Sequence, residues 1–398
     1  MGPQPARDAA QGRLIILAVV LFISYLCVAI SLPVIPLFVA GDLGLGNVWA
    51  GLGVGSAFLA TILTRGFAGT LSDRRGAKLA VSRGLVFYVA GGLVSMTAGL
   101  LSHLPWQAFC LLVLGRLLIG LGESLAGVGV VAWGIGIVGP QRAGKVLALI
   151  GAALYGAFAA GGPVGLALLD RLGFSGAMAV SALLPALGLL AVSRMEGVAA
   201  HPNAERPPFR SVLGRIWMQG SVVCLQGIGF AAIGAFLSLH FVREGWPFAG
   251  LGLTAFGTGF VLVRFTLGHL PDRIGGLPVA IGSLAVEAVG QLLVWSANDP
   301  LLALAGAFLT GLGCSLVFPS MGREVVHIVE PHLRGTALGA FAAFQDVAYG
   351  LTGPVAGLLA DRAGYGSIFL MGSAAASVGL LTALHLRRTR PATVKRPA

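Results

Sequence analysis

Several ionisable groups lie deep inside long apolar stretches of the sequence. Arg116 lies about ten residues into one stretch, and Glu123 follows seven positions later. Seven helical steps of about 100° return to nearly the same face with a rise of about 10 Å, so these side chains share a stripe without pairing directly. Asp346 lies near the middle of another stretch. Ionisable groups are costly in lipid and mark functional sites. We therefore predict that Glu123 and Asp346 exchange protons.

A structural role is the alternative for both carboxyl groups. Glu123 could accept hydrogen bonds from backbone or serine groups in a glycine-rich helix contact. Asp346 could stabilise a broken helix near Gly353-Pro354. Gln345 and Tyr349 lie one and three residues from Asp346, so the same cluster could instead bind a substrate.

Transmembrane helices must position these groups. Charged residues make up 10% of the 398-residue chain, whereas a soluble domain carries about 25%. Several charge-free segments have the roughly 20 residues that cross a hydrocarbon core of about 30 Å. We predict an all-α membrane protein with twelve transmembrane helices, which span about residues 14–40, 47–70, 79–101, 106–138, 142–169, 174–194, 212–241, 248–270, 277–296, 300–325, 334–360 and 365–386.

The distribution of basic residues predicts the orientation of these helices. With a cytoplasmic N-terminus, about 20 of the 26 Lys and Arg residues lie on the cytoplasmic side, in accord with the positive-inside rule. Both termini are then cytoplasmic, and the first helix is retained rather than cleaved as a signal peptide. The basic residues that give the chain its net charge of +11 are therefore expected to lie near lipid headgroups rather than to bind nucleic acid. We expect a monomeric, multi-pass protein of the bacterial inner membrane.

The sequence contains an internal duplication. The segment 65–76 shares Arg, Gly, Asp, Arg and Gly with 264–275 at an offset of 199, and Gly162-Pro163 recurs as Gly353-Pro354 at an offset of 191. Duplicated membrane halves are typical of transporters with a site between the halves, although a channel or an inert scaffold is an alternative. We predict a six-helix bundle over 1–195, a cytoplasmic linker over 196–211, and a second six-helix bundle with a basic tail over 212–398.

The sequence lacks common enzyme motifs. It has no Gly-x-x-x-x-Gly-Lys-Ser/Thr loop for nucleotide phosphates and no His-Glu-x-x-His metal motif. Its four cysteines have no paired spacing, so neither a disulfide nor a metal site is expected. We therefore predict that the protein is not an enzyme and uses no cofactor.

Four motifs resemble those of the major facilitator superfamily. Residues 69–78 (Gly-x-x-x-Asp-Arg-x-Gly-x-Lys) are similar to its signature loop, and 115–122 (Gly-Arg-x-x-x-Gly-x-Gly) to its intramembrane arginine motif. Residues 33–36 (Pro-Val-Ile-Pro) and 161–165 (Gly-Gly-Pro-x-Gly) resemble elements of drug:proton antiporters. The chain is most similar to the YhhS-like branch. The resemblance implies two pseudo-symmetric bundles around a central cavity.

The resemblance also implies a latch at the cytoplasmic ends of the helices. Asp73 would bind the start of the eleventh helix, with Arg334 as its candidate partner. Membrane anchoring is the alternative for Arg74. Arg65 and Arg264, each one turn before a signature loop, are expected to be gate or anchor residues. The predicted gating residues are Gly69, Asp73, Arg74, Gly76, Asp272, Arg273 and Arg334. The predicted conformational glycine and proline residues are Pro33, Pro36, Gly162, Pro163, Gly353 and Pro354.

Polar and aromatic residues on the implied cavity helices are candidates for substrate binding. They are Arg116, Tyr25, Tyr155, Gln226, Phe230, Phe256, Gln345 and Tyr349. A largely apolar, aromatic cavity suits amphipathic small molecules, although helix packing is the alternative role for each aromatic residue. The ninth helix is peripheral in this family, so Glu287 is predicted to form a structural ion pair, with Arg264 or alternatively Arg323, rather than to contact the substrate.

Together these features predict a secondary active transporter that exports an amphipathic drug-like compound or a metabolite. It would exchange the compound for protons by alternating access. One alternative is a proton-coupled importer of a sugar or an organic anion. Another is a non-transporting membrane sensor or assembly protein. Only the proline and glycine motifs favour export.

Overall fold

The computed structural model describes residues 4–139, 142–198, 200, 210–330 and 333–389. Within these ranges the chain is helical, with a π-helical turn at Phe38–Asp42. The α-helices are α1 (Gln4–Leu37), α2 (Asn47–Arg75), α3 (Ala77–Leu100), α4 (Pro105–Val138), α5 (Ala143–Ser193), α6 (Arg210–Arg243), α7 (Leu251–Leu267), α8 (Leu270–Ile274), α9 (Gly276–Ser296), α10 (Pro300–Ile328), α11 (Arg334–Ala363) and α12 (Gly366–Thr389).

Helix α5 contains two membrane spans. Gly173 has φ +66° and ψ −177°, a backbone conformation that only glycine adopts easily, and it breaks the helix there. Nine helices in the described part of the chain have the length and hydropathy of a membrane span. The break divides α5 into two spans, and the 17-residue α7 and the more polar α11 are also spans, which brings the number to twelve. Helix α8 is only a single turn. The predicted twelve-span, all-α architecture is confirmed.

The two sets of six spans pack in the same pattern. In the first half α3 packs on α4, α2 on α4, and α1 on α5. In the second half α9 packs on α10, α7 on α10, and α6 on α11. The halves meet where α2 packs on α11 and where α5 packs on α7. Most of the predicted linker, residues 199 and 201–209, lies outside the described residues, as do residues 390–398 of the predicted basic tail.

At the two interfaces between the halves, residues related by the sequence offsets make equivalent backbone contacts. Gly51 of α2 lies directly on the Gly353 backbone of α11, where a Cβ atom would collide. The offsets of 199 and 191 carry this pair onto Gly250 and Gly162, which lie against each other between α7 and α5. The same pseudo-symmetry therefore relates the two interfaces, and glycine allows the close helix approach at both.

The halves are joined more closely at one membrane face than at the other. We call the face that carries residues 69–78 the signature-loop face. At the opposite face and in the middle of the molecule, one buried apolar cluster includes residues of both halves, such as Phe174 and Phe369. At the signature-loop face the described apolar clusters are separate, with Leu17 and Trp133 in a cluster of the first half and Val212 in a cluster of the second. The structure is thus closed at the opposite face.

Candidate functional site

A continuous aromatic cluster lies between the halves. Its ring centroids are 3.4 Å apart for Tyr155 and Phe260, which stack, and 4.8 Å apart for Phe230 and Tyr349. The cluster consists of Tyr25, Phe58, Tyr155, Phe158, Phe230, Phe256, Phe260 and Tyr349. It brings together all five aromatic residues that the sequence predicts for substrate binding. Phe58, Phe230 and Tyr349 also line a small apolar cavity.

An ion pair crosses the halves beside this cluster. Arg65 Nη2 of α2 contacts Asp346 Oδ2 of α11. Both side chains are largely buried. Next to this pair, Gln345 Nε2 donates a weak 3.4 Å hydrogen bond to Gln226 Oε1 of α6. The predicted polar cluster around Asp346 therefore has a cationic partner that lies 281 positions away in the sequence.

Glu123 lies on the first-half side of the aromatic cluster. Its carboxyl group is beside the Tyr25 hydroxyl, and its Oε2 atom is buried with no hydrogen-bond partner among the described residues. This arrangement leaves one oxygen of Glu123 available to a proton or a ligand.

Arg116 is fully buried among α1, α2 and α4. Its Nη1 atom donates to Ser31 Oγ at 2.7 Å and its Nη2 atom to the Val54 carbonyl at 3.4 Å. Among the described residues it forms no ion pair with Glu123, in agreement with the seven-residue spacing. A direct contact of Arg116 with substrate remains a prediction.

The predicted ion pair between Glu287 and Arg264 is not formed between these two described residues. The Glu287 carboxyl group points towards Gly229 of α6 and lies beside the Cys314 thiol. Arg264 Nη1 instead donates to the Ser315 carbonyl at 3.1 Å, and its Nη2 atom faces Gly151 of α5. The sequence-based pairing failed because the two side chains leave their helices in different directions.

We expect Arg264→Gln to lower the stability of the protein by less than about 1 kcal/mol, the usual limit for a weakly paired charge. Removing one partner of a buried ion pair would cost about 3–5 kcal/mol. Thermal unfolding of the purified protein in detergent measures the difference. A loss in the larger range would show that Arg264 does neutralise a buried carboxylate.

Backbone conformation, burial and hydrogen bonding account for the two glycines and the lysine of the first signature loop. Gly76 has φ +98°, which favours glycine, and Gly69 is buried. Lys78 Nζ donates to the Ser193 and Met195 carbonyls at 3.1 and 2.6 Å, so it caps the end of α5. These contacts hold the loop against the end of α5, within the first half.

The remaining predicted gating residues lie at the same face. Asp73 is half-buried and Arg74 is exposed, both in the last turn of α2, while Arg334 begins α11. In the second copy, Asp272 Oδ1 lies 3.8 Å from Arg323 Nε, and Arg273 is exposed. The latch between Asp73 and Arg334 remains a prediction.

The predicted conformational residues lie at helix irregularities and at the interfaces between the halves. Pro33 and Pro36 lie within α1, just before the π-helical turn at Phe38–Asp42. Proline removes a backbone donor, which favours such local unwinding. Pro163 and Pro354 follow Gly162 and Gly353 and lie against the facing glycines Gly250 and Gly51.

A polar cluster at the opposite face was not predicted from the sequence. Asn47 Nδ2 donates to Asp361 Oδ1 at 2.6 Å, and the Tyr365 hydroxyl donates to Asn47 Oδ1 at 2.7 Å. These bonds join the first turn of α2 to the end of α11 and the start of α12. Polar residues at helix ends are common, so only the tertiary contact distinguishes them.

This duplicated twelve-span fold, with its ionisable groups and aromatic cluster between the halves, defines a membrane transporter rather than an enzyme. The chain belongs to the Major Facilitator Superfamily, whose sequence profile matches residues 17–252 and 220–398.

Bacterial relatives match nearly the whole chain. An uncharacterized MFS-type transporter of Salmonella typhimurium is 42% identical over 361 residues, which cover 90% of this chain and 92% of the relative. An uncharacterized MFS-type transporter of Pseudomonas aeruginosa is 42% identical over 394 residues, which cover 97% and 98%. The crystal structure of a D-xylose-proton symporter matches with a TM-score of 0.77 at 18% identity and covers 96% of this chain and 98% of that chain.

Proposed function

We propose that this protein is a proton-coupled exporter of the bacterial inner membrane. It exchanges a cytoplasmic amphipathic small molecule, either a drug-like compound or a metabolite, for external protons by alternating access. The observation that carries this proposal is the aromatic cluster shared by the halves, with Glu123 beside Tyr25 and the ion pair of Asp346 at its edges. The proposal assigns the chain to the drug:proton antiporters and, among them, to the YhhS-like branch.

The chemistry of the cluster supports an amphipathic substrate. Stacked aromatic rings provide flat apolar surfaces, and they offer few hydrogen-bonding groups for a sugar. Besides Glu123 and the ion pair, the uncharged polar groups of the cluster and its edges include the Tyr25, Tyr155 and Tyr349 hydroxyls and the side-chain amides of Gln226 and Gln345. A ligand with a flat apolar part and one polar end fits this distribution.

The conformation supports loading from the signature-loop face. Both inter-half glycine contacts, Gly51 with Gly353 and Gly250 with Gly162, lie towards the opposite face. With the predicted orientation, the signature-loop face is cytoplasmic, so this conformation would admit a cytoplasmic compound. The loop residues Asp73 and Arg74 would then stabilise the alternative, outward-facing conformation.

Glu123 and Asp346 are the proposed proton-coupling groups. Each lies within a membrane span and next to the aromatic cluster, so substrate and proton would compete for the same space. Coupling requires only that one ligand binds the two conformations with different affinity. Glu123 is the better candidate for exchange because Asp346 already has Arg65 as its counter-ion.

The test is substrate-driven proton movement in proteoliposomes. A panel of amphipathic compounds is added to reconstituted wild-type protein while a pH-sensitive dye reports the proton flux. For the compounds that elicit a flux, Glu123→Gln is expected to reduce it to background while substrate exchange without a gradient persists. The matched control is Glu196→Gln, because the Glu196 side chain is 92% exposed. Wild-type proton flux in Glu123→Gln would overturn the coupling role of Glu123.

A further inference from the structure

Next to the aromatic cluster, the two halves differ at one pair of equivalent positions. The offset of 199 relates Arg65 of α2 to Arg264 of α7, and the offset of 191 relates Asp346 of α11 to Tyr155 of α5. The same two offsets also relate the contacts between α2 and α11 to those between α7 and α5. Gly55 lies on Gly350, and the equivalent Thr254 donates from its hydroxyl to the carbonyl of the equivalent Ala159 at 2.9 Å.

The two equivalent arginines therefore have different surroundings. Arg65 pairs with a carboxylate, whereas the position equivalent to that carboxylate holds Tyr155, which lies within electrostatic range of Arg264. Tyr155 stacks on Phe260, and the Arg264 guanidinium lies 5.9 Å from the centre of the Phe260 ring. In the described part of the chain no carboxylate lies within 4.0 Å of Arg264.

Arg264 also retains hydrogen-bonding capacity. A guanidinium group has five N–H donors, and the one protein acceptor of Arg264 in the described structure is the Ser315 carbonyl, bound through Nη1. The residue is half-buried between α5, α7 and α10. A half-buried cation without a counter-ion attracts an anion more strongly than a cation in bulk water does.

We propose that Arg264 is the anion-binding residue of the transport site and that the substrate is an amphipathic organic anion. The substrate's carboxylate, sulfonate or phosphate group would accept hydrogen bonds from the guanidinium, which matches such groups in a bidentate manner. Its flat apolar part would lie against the neighbouring rings of Tyr155 and Phe260. This inference rests on the proposed transport function and specifies the substrate class.

The charge balance supports a single anionic group. Asp346 neutralises Arg65 on one side of the aromatic cluster, and the substrate anion takes the equivalent place beside Arg264 on the other. Arg116 is held by Ser31 and Val54 within the first half, away from this position. Tyr155 provides no carboxylate at the position equivalent to Asp346, so the anion beside Arg264 has to come from the substrate.

Equilibrium binding with two matched probes tests the proposal. The probes are 2-naphthoate and its neutral analogue 2-naphthalenemethanol, titrated by calorimetry into the wild-type protein in phosphatidylcholine nanodiscs, with empty nanodiscs as background. The wild type is expected to bind 2-naphthoate at least about tenfold more tightly, as for a hydrogen bond to a charged group. Arg264→Gln is expected to abolish this preference and leave the affinity for the alcohol unchanged.

A pair of substitutions at Tyr155 isolates the effect of charge. Tyr155→Asp supplies the internal counter-ion found at the equivalent position, so the preference for 2-naphthoate is expected to disappear. Tyr155→Asn removes the ring without adding charge and is expected to keep the preference. Size-exclusion profiles confirm that each variant is folded before titration.

Equal binding of both probes to the wild type would overturn the proposal, as would a retained preference in Arg264→Gln. Because equilibrium binding needs no proton gradient, the two proposals can fail separately. A preference for 2-naphthoate without any substrate-driven proton flux refutes the proton-coupled exporter alone. A proton flux that shows no dependence on probe charge refutes the anionic substrate alone.

Discussion

Asp346→Leu is expected to destabilise the protein by about 3 kcal/mol and to reduce transport by at least about tenfold, because it leaves the largely buried Arg65 without its counter-ion. The cost of removing one partner of a buried pair comes mainly from the charge that stays behind. The value is at the low end of the usual range because the Arg65 side chain retains 24% exposure. Thermal unfolding and uptake into proteoliposomes measure the two effects.

The double variant Arg65→Leu/Asp346→Leu provides the control. Replacing both members of a buried pair by apolar residues is often neutral or stabilising, so the double variant is expected to recover most of the lost stability. Its transport is expected to stay low, since the inter-half contact that depends on charge is absent. Equal stability of the single and double variants would show that Arg65 and Asp346 do not interact.

Gly51→Leu is expected to reduce transport to background while the protein stays folded. Gly51 lies directly on the Gly353 backbone, so a side chain there prevents α2 and α11 from meeting at the opposite face. The matched control is Gly66→Leu in the same helix, where no described atom outside the neighbouring helix backbone lies within 4 Å of the added Cβ position. This control is expected to keep wild-type transport.

Distances between spin labels check the physical cause of that loss. Labels are attached at Trp49→Cys and Leu358→Cys, which are exposed positions of α2 and α11 near the opposite face. The background carries Cys110→Ser and Cys224→Ser, since these two native cysteines are not buried. Gly51→Leu is expected to shift the distance distribution to longer values. An unchanged distribution, or normal transport, would contradict a role for this contact in closure.

The duplication identified Arg264 as the counterpart of Arg65 from the sequence alone. Once the structure shows the contact of Gly51 with Gly353, the same two offsets locate its counterpart, the contact of Gly250 with Gly162. Related halves fold alike, so an offset that holds for the motifs also holds for the helix contacts between them. The duplication could not show that Tyr155 replaces a carboxylate in a pair, because the pair itself was unknown.

The sequence by itself determined the spans and their number. A hydrocarbon core requires about 20 apolar residues per helix, and within it the backbone N–H and C=O groups can form hydrogen bonds only with each other. The sequence also predicted which side chains on one helix share a face, as for Arg116 and Glu123. Only the tertiary structure decided which helix each face meets. It paired Asp346 with Arg65 across 281 positions, directed Arg264 away from Glu287, and joined Asn47 to Asp361 and Tyr365. Periodicity is a property of one helix, whereas an ion pair depends on the packing of two.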